Sequence, residues 1–290
     1  MMRDLQTARP VQTYDSGDGP LAYLDTGPRT GRPLVLLHTG FTDHTQFDNL
    51  IPALARHHRV IAPDARGHGL SANASRPFRQ TDDLAALLRH LGLDEPAVLV
   101  GVSMGALIAL DTALEHPELV RALVVSGRGL DEPDLGDPWS SALQEAQANA
   151  LASGDVPAWL DAFVQWLPGP ARTLVDVDQD IVRHVREMAL RTLMKHTLDE
   201  PDHRVLVPDP AARAKEITVP VLAINGALDA PGLLATVDAL VGEVPDGRTA
   251  TIDGVGHYVT MEAPEEFAVL LEEFLHALEA EGATAGEATR

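Results

Sequence analysis

The sequence predicts an α/β protein built on one mostly parallel sheet, with helices on both faces and a helical segment inserted into it. Two observations predict this fold class. Short apolar runs bounded by Gly, Pro and Asp, such as Leu34–Leu37, alternate with helical patterns over residues 34–125. The alternation stops over residues 131–213 and resumes from residue 214. Strands that alternate with helices imply right-handed crossovers and a parallel sheet covered on both sides.

The predicted elements follow in a regular order along the chain. Residues 11–14 and 21–24 are expected to form a pair of strands around an Asp-Ser-Gly-Asp-Gly-Pro turn, after a loose segment at residues 1–10. In the rest of the core, short apolar runs predict buried strands at 34–37, 60–62, 97–100, 122–125, 219–224 and 249–252. Helical periodicity predicts helices at 47–57, 81–91, 104–115, 232–241 and 264–278.

The interruption of this pattern divides the chain into a core and an insertion. Residues 1–130 and 214–280 are expected to form the core, and residues 131–213 the inserted segment. Within that segment, residues 140–151, 157–166 and 178–198 have the periodicity of helices. Residues 281–290, rich in Ala, Gly and Glu, are expected to be a flexible tail.

Composition and charge exclude several function classes. The chain has 290 residues, 22 Lys and Arg against 43 Asp and Glu, a formal net charge of −21 and no cysteine. A surface this negative repels phosphate backbones and anionic lipids, so we expect no nucleic-acid and no membrane partner. Without cysteine there is no disulfide, thiolate nucleophile or Cys-ligated metal. No secretory signal or membrane span is recognisable, so we expect a cytoplasmic protein. The sequence leaves open whether the chain forms a homodimer.

A Gly-Val-Ser-Met-Gly motif at residues 101–105 provides the first candidate for catalysis. It lies between the strand predicted to end at Val100 and the helix predicted to begin at Met104. In that setting, G-x-S-x-G is typical of a nucleophile elbow, where small flanking residues let a strained Ser hold its hydroxyl above the sheet edge. The motif therefore predicts Ser103 as a nucleophile.

A serine nucleophile needs a base and an acid that orients the base, and in this architecture they follow in the order Ser, acid, His. His257 is the one histidine in the loop after the last predicted strand. Asp229 ends a short Asn-Gly-Ala-Leu-Asp turn after the strand at 219–224, whereas Asp131, after the strand at 122–125, is the alternative acid. We favour Asp229, because its tight turn leaves the direction of the side chain little freedom.

The oxygen of a tetrahedral intermediate also needs two N–H donors. One donor is expected to be the amide of Met104, the residue after the nucleophile, and the other an amide of the His-Thr-Gly-Phe loop at residues 38–41. Gly40 allows close backbone approach, and Phe41 is the predicted second donor. We expect His38 to be a buried residue that ties this loop down by hydrogen bonds rather than a second base.

With these residues the chain resembles the α/β-hydrolase fold family over about residues 11–278. The resemblance rests on Leu-Leu-His-Thr-Gly-Phe at 36–41, Asp-Ala-Arg-Gly-His-Gly-Leu-Ser at 64–71, and on Ser103, Asp229 and His257. It implies an eight-stranded sheet with an antiparallel second strand, and a mobile helical cap after the sixth strand. The inserted Thr39 departs from the family's common His-Gly form, which leaves the choice between the Gly40 and Phe41 amides open. Residues 64–71 are expected to be a structural loop, with His68 outside catalysis.

Large aromatic side chains are concentrated in the inserted segment. All three tryptophans, Trp139, Trp159 and Trp166, lie there with Phe163. They could form an apolar pocket for a small or medium acyl or lactone group, or they could only pin the cap helices to the core. Seven residues apart, Trp159 and Trp166 are predicted to share one helix face, which suits either role. The predicted substrate-binding residues are Gly40, Trp139, Trp159, Phe163, Trp166 and Tyr258.

These residues predict a cofactor-free serine hydrolase that acts on a small-molecule ester or lactone through an acyl-enzyme. Ser at the elbow argues against epoxide hydrolases and haloalkane dehalogenases, which carry Asp there, and no His-Glu-x-x-His pattern supports a zinc site. The same triad could cleave carbon–carbon bonds, open enol-lactones, act as a perhydrolase or transfer acyl groups. A non-catalytic small-molecule receptor is the alternative from another class.

Overall fold

The computed structural model describes residues 10–28, 32–93 and 95–288, with side chains described as far as residue 280. Its strands are β1 (Gln12–Asp15), β2 (Pro20–Asp25), β3 (Leu34–Leu37), β4 (Val60–Pro63), β5 (Ala97–Val102), β6 (Val120–Ser126), β7 (Val221–Gly226) and β8 (Gly247–Ile252). They form one eight-stranded sheet in the order β1-β2-β4-β3-β5-β6-β7-β8. Only β2 runs antiparallel to its neighbours among the paired strands described, so the predicted sheet and its antiparallel second strand are confirmed.

Helices cover both faces of the sheet because successive strand side chains point to opposite sides. In β3, Val35 and Leu37 face one apolar core, and Leu34 and Leu36 face the other, all of them fully or almost fully buried. The first core is covered by α2 (Gln80–His90), α3 (Met104–Glu115) and α7 (Pro231–Glu243), and the second by α1 (Ile51–Leu54) and α9 (Pro264–Ala288).

Two helices differ from the sequence prediction. The helix expected at 47–57 is a 3-10 turn at His44–Phe47 followed by the short α1, because Pro52 lacks an N–H and is accommodated only in the first turn of a helix. The closing helix α9 runs to Ala288, so the backbone of most of the predicted tail at 281–290 is helical. Ala and Glu are strong helix formers, and they extend the helix past the predicted end at residue 278. Of the predicted loose segment at 1–10, residues 1–9 lie outside the described residues.

The inserted segment places three helices between β6 and β7, namely α4 (Pro138–Ser153), α5 (Val156–Phe163) and α6 (Gln179–Leu193). Their apolar side chains form a third core, which also includes Tyr258 and Met261 from the loop and short helix α8 (Val259–Glu262) that follow β8. The side chain of Arg191 on α6 also donates to Asp43 Oδ2 at 2.6 Å. The segment is therefore packed onto the edge of the sheet where the strands end. None of the helices in the described part of the chain is long and apolar enough to cross a membrane.

One carboxylate on α3 is buried at a cost to stability. Asp111 Oδ1 is buried and makes no hydrogen bond within the described residues. Burial, and then the negative charge of Glu115, raise the pKa of Asp111 from 3.8 to about 6. Because the folded chain binds this proton more tightly than the unfolded chain, stability falls as the pH rises from about 4 to about 6, and the loss persists above pH 6.

Replacing Asp111 with Asn is therefore expected to stabilise the protein at pH 8. The full shift corresponds to roughly 3 kcal/mol, which partial exposure of the side chain reduces to about 1–2 kcal/mol. Urea unfolding at pH 8 measures the gain, which should shrink as the pH falls below 6. The matched control is Asp238→Asn on the exposed side of α7, expected to change the free energy of unfolding by less than about 0.5 kcal/mol. An equal gain in both variants, or a gain independent of pH, would contradict this account.

Candidate active site

Ser103 lies at a strained turn between β5 and α3. Its backbone has φ 55° and ψ −113°, a region that residues with a Cβ rarely occupy, and its side chain makes no capping hydrogen bond to α3. The Ser103 N–H donates to Ser126 O at the end of β6, at 2.8 Å. The turn is thereby fixed to the neighbouring strand, and the hydroxyl is not used to cap the helix.

The two glycines of the motif are required by packing rather than by chemistry. A Cβ on Gly105 would overlap the carbonyl of Leu37, and a Cβ on Gly101 would overlap the carbonyl of Gly105. Only glycine therefore allows the first turn of α3 to pack this closely against the end of β3. This close packing brings the loop after β3 next to the Ser103 turn.

His257 and Asp229 form a buried hydrogen-bonded pair. His257 Nδ1 lies 2.8 Å from Asp229 Oδ2, and Asp229 Oδ1 accepts the N–H of Ala230 at 2.7 Å. Burial alone would lower the pKa of His257, but the charge and hydrogen bond of Asp229 outweigh burial and raise it. Asp131, the alternative acid, has an exposed side chain. The structure thus pairs the predicted base with Asp229.

Gly127 joins this pair to the serine turn. It follows Ser126, whose carbonyl holds Ser103, and its own N–H donates to Asn225 Oδ1 at 2.9 Å. Its φ is +67°, and a Cβ there would lie 2.8 Å from His257 Cε1 and 3.0 Å from Asp229 Oδ2. The Ser-Gly-Arg-Gly turn at 126–129 was a sequence signal that could have indicated Gly127. No sequence signal indicated that Asn225 accepts its N–H.

The loop after β3 lies against the residue that follows Ser103. A Cβ on Gly40 would be 3.8 Å from Met104 Cβ, an ordinary contact distance. Phe41 has φ 63°, and within the described residues neither its amide nor that of Met104 donates a backbone hydrogen bond outside helix α3. Both amides therefore remain candidates for the two oxyanion donors.

His38 has the structural role expected of it. It is buried, its Nδ1 lies 2.8 Å from Thr39 O, and its Nε2 accepts the N–H of Ala65 at 3.0 Å. Since Nε2 is the acceptor, Nδ1 carries the proton. In His68, burial and then the neighbouring His38 lower the pKa to about 3, and Nδ1 lies 3.1 Å from Arg66 O. Both histidines are neutral residues that hold their loops.

Predicted pocket residues from the inserted segment separate into two groups. Trp159 stacks on Phe163 with ring centroids 4.9 Å apart, and it contacts Phe41 at 4.7 Å, so this group touches the predicted oxyanion loop. Trp166 instead packs edge-on against Trp139 at 5.1 Å. The prediction that Trp159 and Trp166 share one helix face is wrong, because α5 ends at Phe163 and residues 164–166 form a 3-10 turn with a different angular spacing.

Tyr258 lies at the junction of the inserted segment and the base. It is 1% exposed, and its ring meets the His257 ring edge-on with centroids 5.6 Å apart. Burial, followed by the charge of Asp229, raises the pKa of its hydroxyl. The phenol is therefore neutral, and its ring packs between the third core and the ring of His257.

A second buried polar cluster lies next to the loop at residues 38–41. Asp43, His44 and Asp64 place their ligand atoms close enough together to hold an ion. His44 Nδ1 is already 2.7 Å from Asp64 Oδ1, and Asp43 Oδ2 accepts from Arg191. Burial would lower the pKa of His44, but the hydrogen bond and charge of Asp64 outweigh it and raise the pKa. These internal pairs account for the cluster as a structural network.

Comparisons with known proteins show the family to which this fold belongs. The model of the alpha/beta hydrolase fold family matches residues 32–264. The chain is 30% identical over 260 residues to pimeloyl-(acyl-carrier protein) methyl ester esterase of Aromatoleum aromaticum, covering 83% of this chain and 96% of that protein. It is 27% identical over 277 residues to haloalkane dehalogenase 2 of Mycobacterium tuberculosis, covering 89% and 92%.

Among solved structures, a thermophilic esterase from Thermogutta terrifontis superposes with a TM-score of 0.73 at 24% identity, over 93% of this chain and 99% of that one. This similarity concerns the fold, and it spans most of both chains. Together with the family match and the strand order, it shows that the chain belongs to the α/β hydrolase fold family, and the named relatives are hydrolases.

Proposed function

We propose that this protein is a cofactor-independent serine hydrolase of carboxylic esters or lactones, with Ser103, His257 and Asp229 as its triad. The observation that carries the proposal is the buried pair of His257 and Asp229, 2.8 Å apart, beside a strained serine turn. Gly127 contacts the pair, and the residue before it accepts the Ser103 amide. These contacts support a nucleophile, a base and an orienting acid at one edge of the sheet.

The tautomer of His257 sets the first chemical step. In the neutral imidazole, Nδ1 carries the proton that it donates to Asp229, so Nε2 is free to accept the proton of Ser103 as Oγ bonds to the substrate carbonyl carbon. The carbonyl oxygen becomes negative in the tetrahedral intermediate, and the amides of Met104 and Phe41 donate to it. The intermediate collapses when the C–O bond to the alcohol breaks and His257 returns the proton to the leaving oxygen.

The second half of the reaction regenerates the enzyme. Water attacks the acyl-enzyme while His257 Nε2 takes one of its protons, and the same two amides receive the oxyanion. Cleavage of the bond to Ser103 Oγ releases the carboxylic acid, and the proton on His257 returns to the serine. No metal or redox group takes part in this scheme.

Three observations support the substrate class. The relative named as a methyl ester esterase favours ester cleavage, and Ser103 occupies the elbow position where dehalogenases of this fold carry Asp. The rings of Phe41, Trp159 and Phe163 form one cluster beside the proposed oxyanion donors. Such a wall suits an apolar acyl or alcohol group of small to medium size.

Labelling with a fluorophosphonate tests the proposal directly. We expect one covalent adduct per chain, located on Ser103 by mass spectrometry, because only an activated serine attacks the phosphorus atom rapidly. The same preparation should hydrolyse p-nitrophenyl butyrate, and parallel assays with a γ-lactone, a β-diketone and a peracid-forming mixture rank the related chemistries. An adduct elsewhere, or tight ligand binding without any adduct, would contradict the triad and favour a receptor.

A further inference from the structure

Residues 167–172, Leu-Pro-Gly-Pro-Ala-Arg, form a strap within the inserted segment that touches both loops of the proposed acid–base pair. At Gly169, with φ +72°, a Cβ would overlap the carbonyl of Leu228 and lie 3.7 Å from the Cα of Asp229. At Gly256, a Cβ would overlap the carbonyl of Leu167. The strap therefore packs backbone to backbone against the residues directly before Asp229 and directly before His257.

Arg172 fastens the end of this strap to the His257 loop. Its Nη1 donates to Gly254 O at 2.8 Å, and its two terminal nitrogens contact both carboxylate oxygens of Glu262, at 2.8 and 3.1 Å. Glu262 Oε1 also accepts the N–H of Gly256 at 2.9 Å. The side chains of Arg172 and Glu262 are 15% and 6% exposed. The shielded ion pair of Arg172 and Glu262 thus holds the carbonyl of Gly254 and the amide of Gly256, in the segment just before His257.

The ion pair holds a part of the His257 loop whose backbone is rich in glycine. Gly254 has φ +77°, and with Gly256 it gives the approach to His257 two residues that lack a Cβ. Glycines populate many backbone conformations, so a loop of this composition does not hold a catalytic ring by itself. Bidentate arginine–carboxylate pairs fix direction as well as distance. The ion pair thereby supplies the order that the loop sequence lacks.

We propose that Arg172 and Glu262 are positioning residues that set the orientation of the His257 ring relative to Ser103 and Asp229. The inference rests on the proposed function, since it gives these residues a role in that reaction. It also gives the inserted segment a role at the catalytic base, because the strap contacts the loops of His257 and Asp229. Neither side chain contacts the reacting atoms, so their effect is expected on turnover rather than on substrate affinity.

The test compares Arg172→Met, Arg172→Lys and Glu262→Gln in the full-length protein. For p-nitrophenyl butyrate we expect Arg172→Met to lower kcat about 10- to 100-fold with KM changed less than about 3-fold, because small displacements of a catalytic group have effects of this size. Lys keeps the charge but not the bidentate geometry, and Gln keeps the acceptor for Gly256, so both should lose less. The control is Arg183→Met, which removes an exposed ion pair with Asp180 on α6.

A spectroscopic measurement separates positioning from general loosening of the fold. The proton between His257 Nδ1 and Asp229 should give a far-downfield proton NMR resonance in the wild type that broadens or disappears in Arg172→Met, while thermal unfolding stays cooperative. If Arg172→Met fails to fold, the same comparison in Arg172→Lys and Glu262→Gln decides the question.

The outcomes distinguish this inference from the proposed function. Unchanged kcat and an unchanged downfield resonance, in variants that fluorophosphonate still labels, would overturn the positioning role and leave the serine hydrolase intact. A raised KM with wild-type kcat would also overturn it, because it would assign the pair to substrate binding. Wild-type protein with neither labelling nor turnover would overturn both.

Discussion

Ser103→Ala is expected to lower kcat for p-nitrophenyl butyrate by about 10⁴- to 10⁶-fold, the range found when the nucleophile of a serine triad is removed. The variant keeps the Cβ and the strained backbone but has no oxygen to form the acyl-enzyme. The amides of Met104 and Phe41 remain, so a slow attack by water on the bound ester should persist. Initial rates and fluorophosphonate labelling measure the loss, and both should fall together.

A second substitution at this position separates chemistry from stability. Ser103→Gly should be as inactive as Ser103→Ala, yet it relieves the positive φ of 55° that a Cβ makes unfavourable. We expect its free energy of unfolding to exceed that of Ser103→Ala by about 1 kcal/mol in urea titrations. Ser153→Ala, on the exposed end of α4, is the control and should retain wild-type turnover. Substantial turnover by Ser103→Ala would exclude Ser103 as the nucleophile.

The sheet was predictable because burial on both faces is visible in composition. Runs such as Leu34–Leu37 contain no polar residue, and flanking Gly, Pro and Asp residues show where the strands end. The helix expected at 47–57 was wrong because Pro52 is accommodated only in the first turn of a helix, so a helix that begins at Phe47 cannot continue through it, and hydrophobic periodicity does not show this restriction. Likewise, the pairing of Trp166 with Trp139 depends on a local change to 3-10 geometry that a spacing of seven does not reveal.

The contact between His257 and Asp229 was predictable because each residue follows a parallel strand, and the carboxyl ends of such strands meet at one edge. Residues that support the pair were not predictable in this way. Arg172 reaches Gly254 across 82 residues of chain, and neither lies in a periodic pattern or a motif. Such contacts depend on the packing of the inserted segment against the core, which a single sequence does not encode in any local signal.

Asp229→Asn is expected to lower kcat about 10³- to 10⁴-fold while leaving fluorophosphonate labelling detectable but slow. Asn can donate a hydrogen bond to Nδ1, which would place the imidazole proton on Nε2 and prevent that nitrogen from accepting the serine proton. The substitution also removes the charge that raises the pKa of His257. Because burial then acts alone and lowers that pKa, the acidic limb of the pH profile of kcat/KM should move to lower pH.

Asp131→Asn is the matched comparison, because Asp131 is the alternative acid that the sequence offered after the strand at 122–125. Its exposed side chain predicts turnover within about twofold of the wild type, since removing a charge in high dielectric has little effect on a buried site. Loss of activity in Asp131→Asn with normal rates in Asp229→Asn would assign the acid to Asp131, and the buried contact of 2.8 Å would then be structural. Loss in Asp229→Asn alone, with the shifted pH profile, identifies the carboxylate that orients the base.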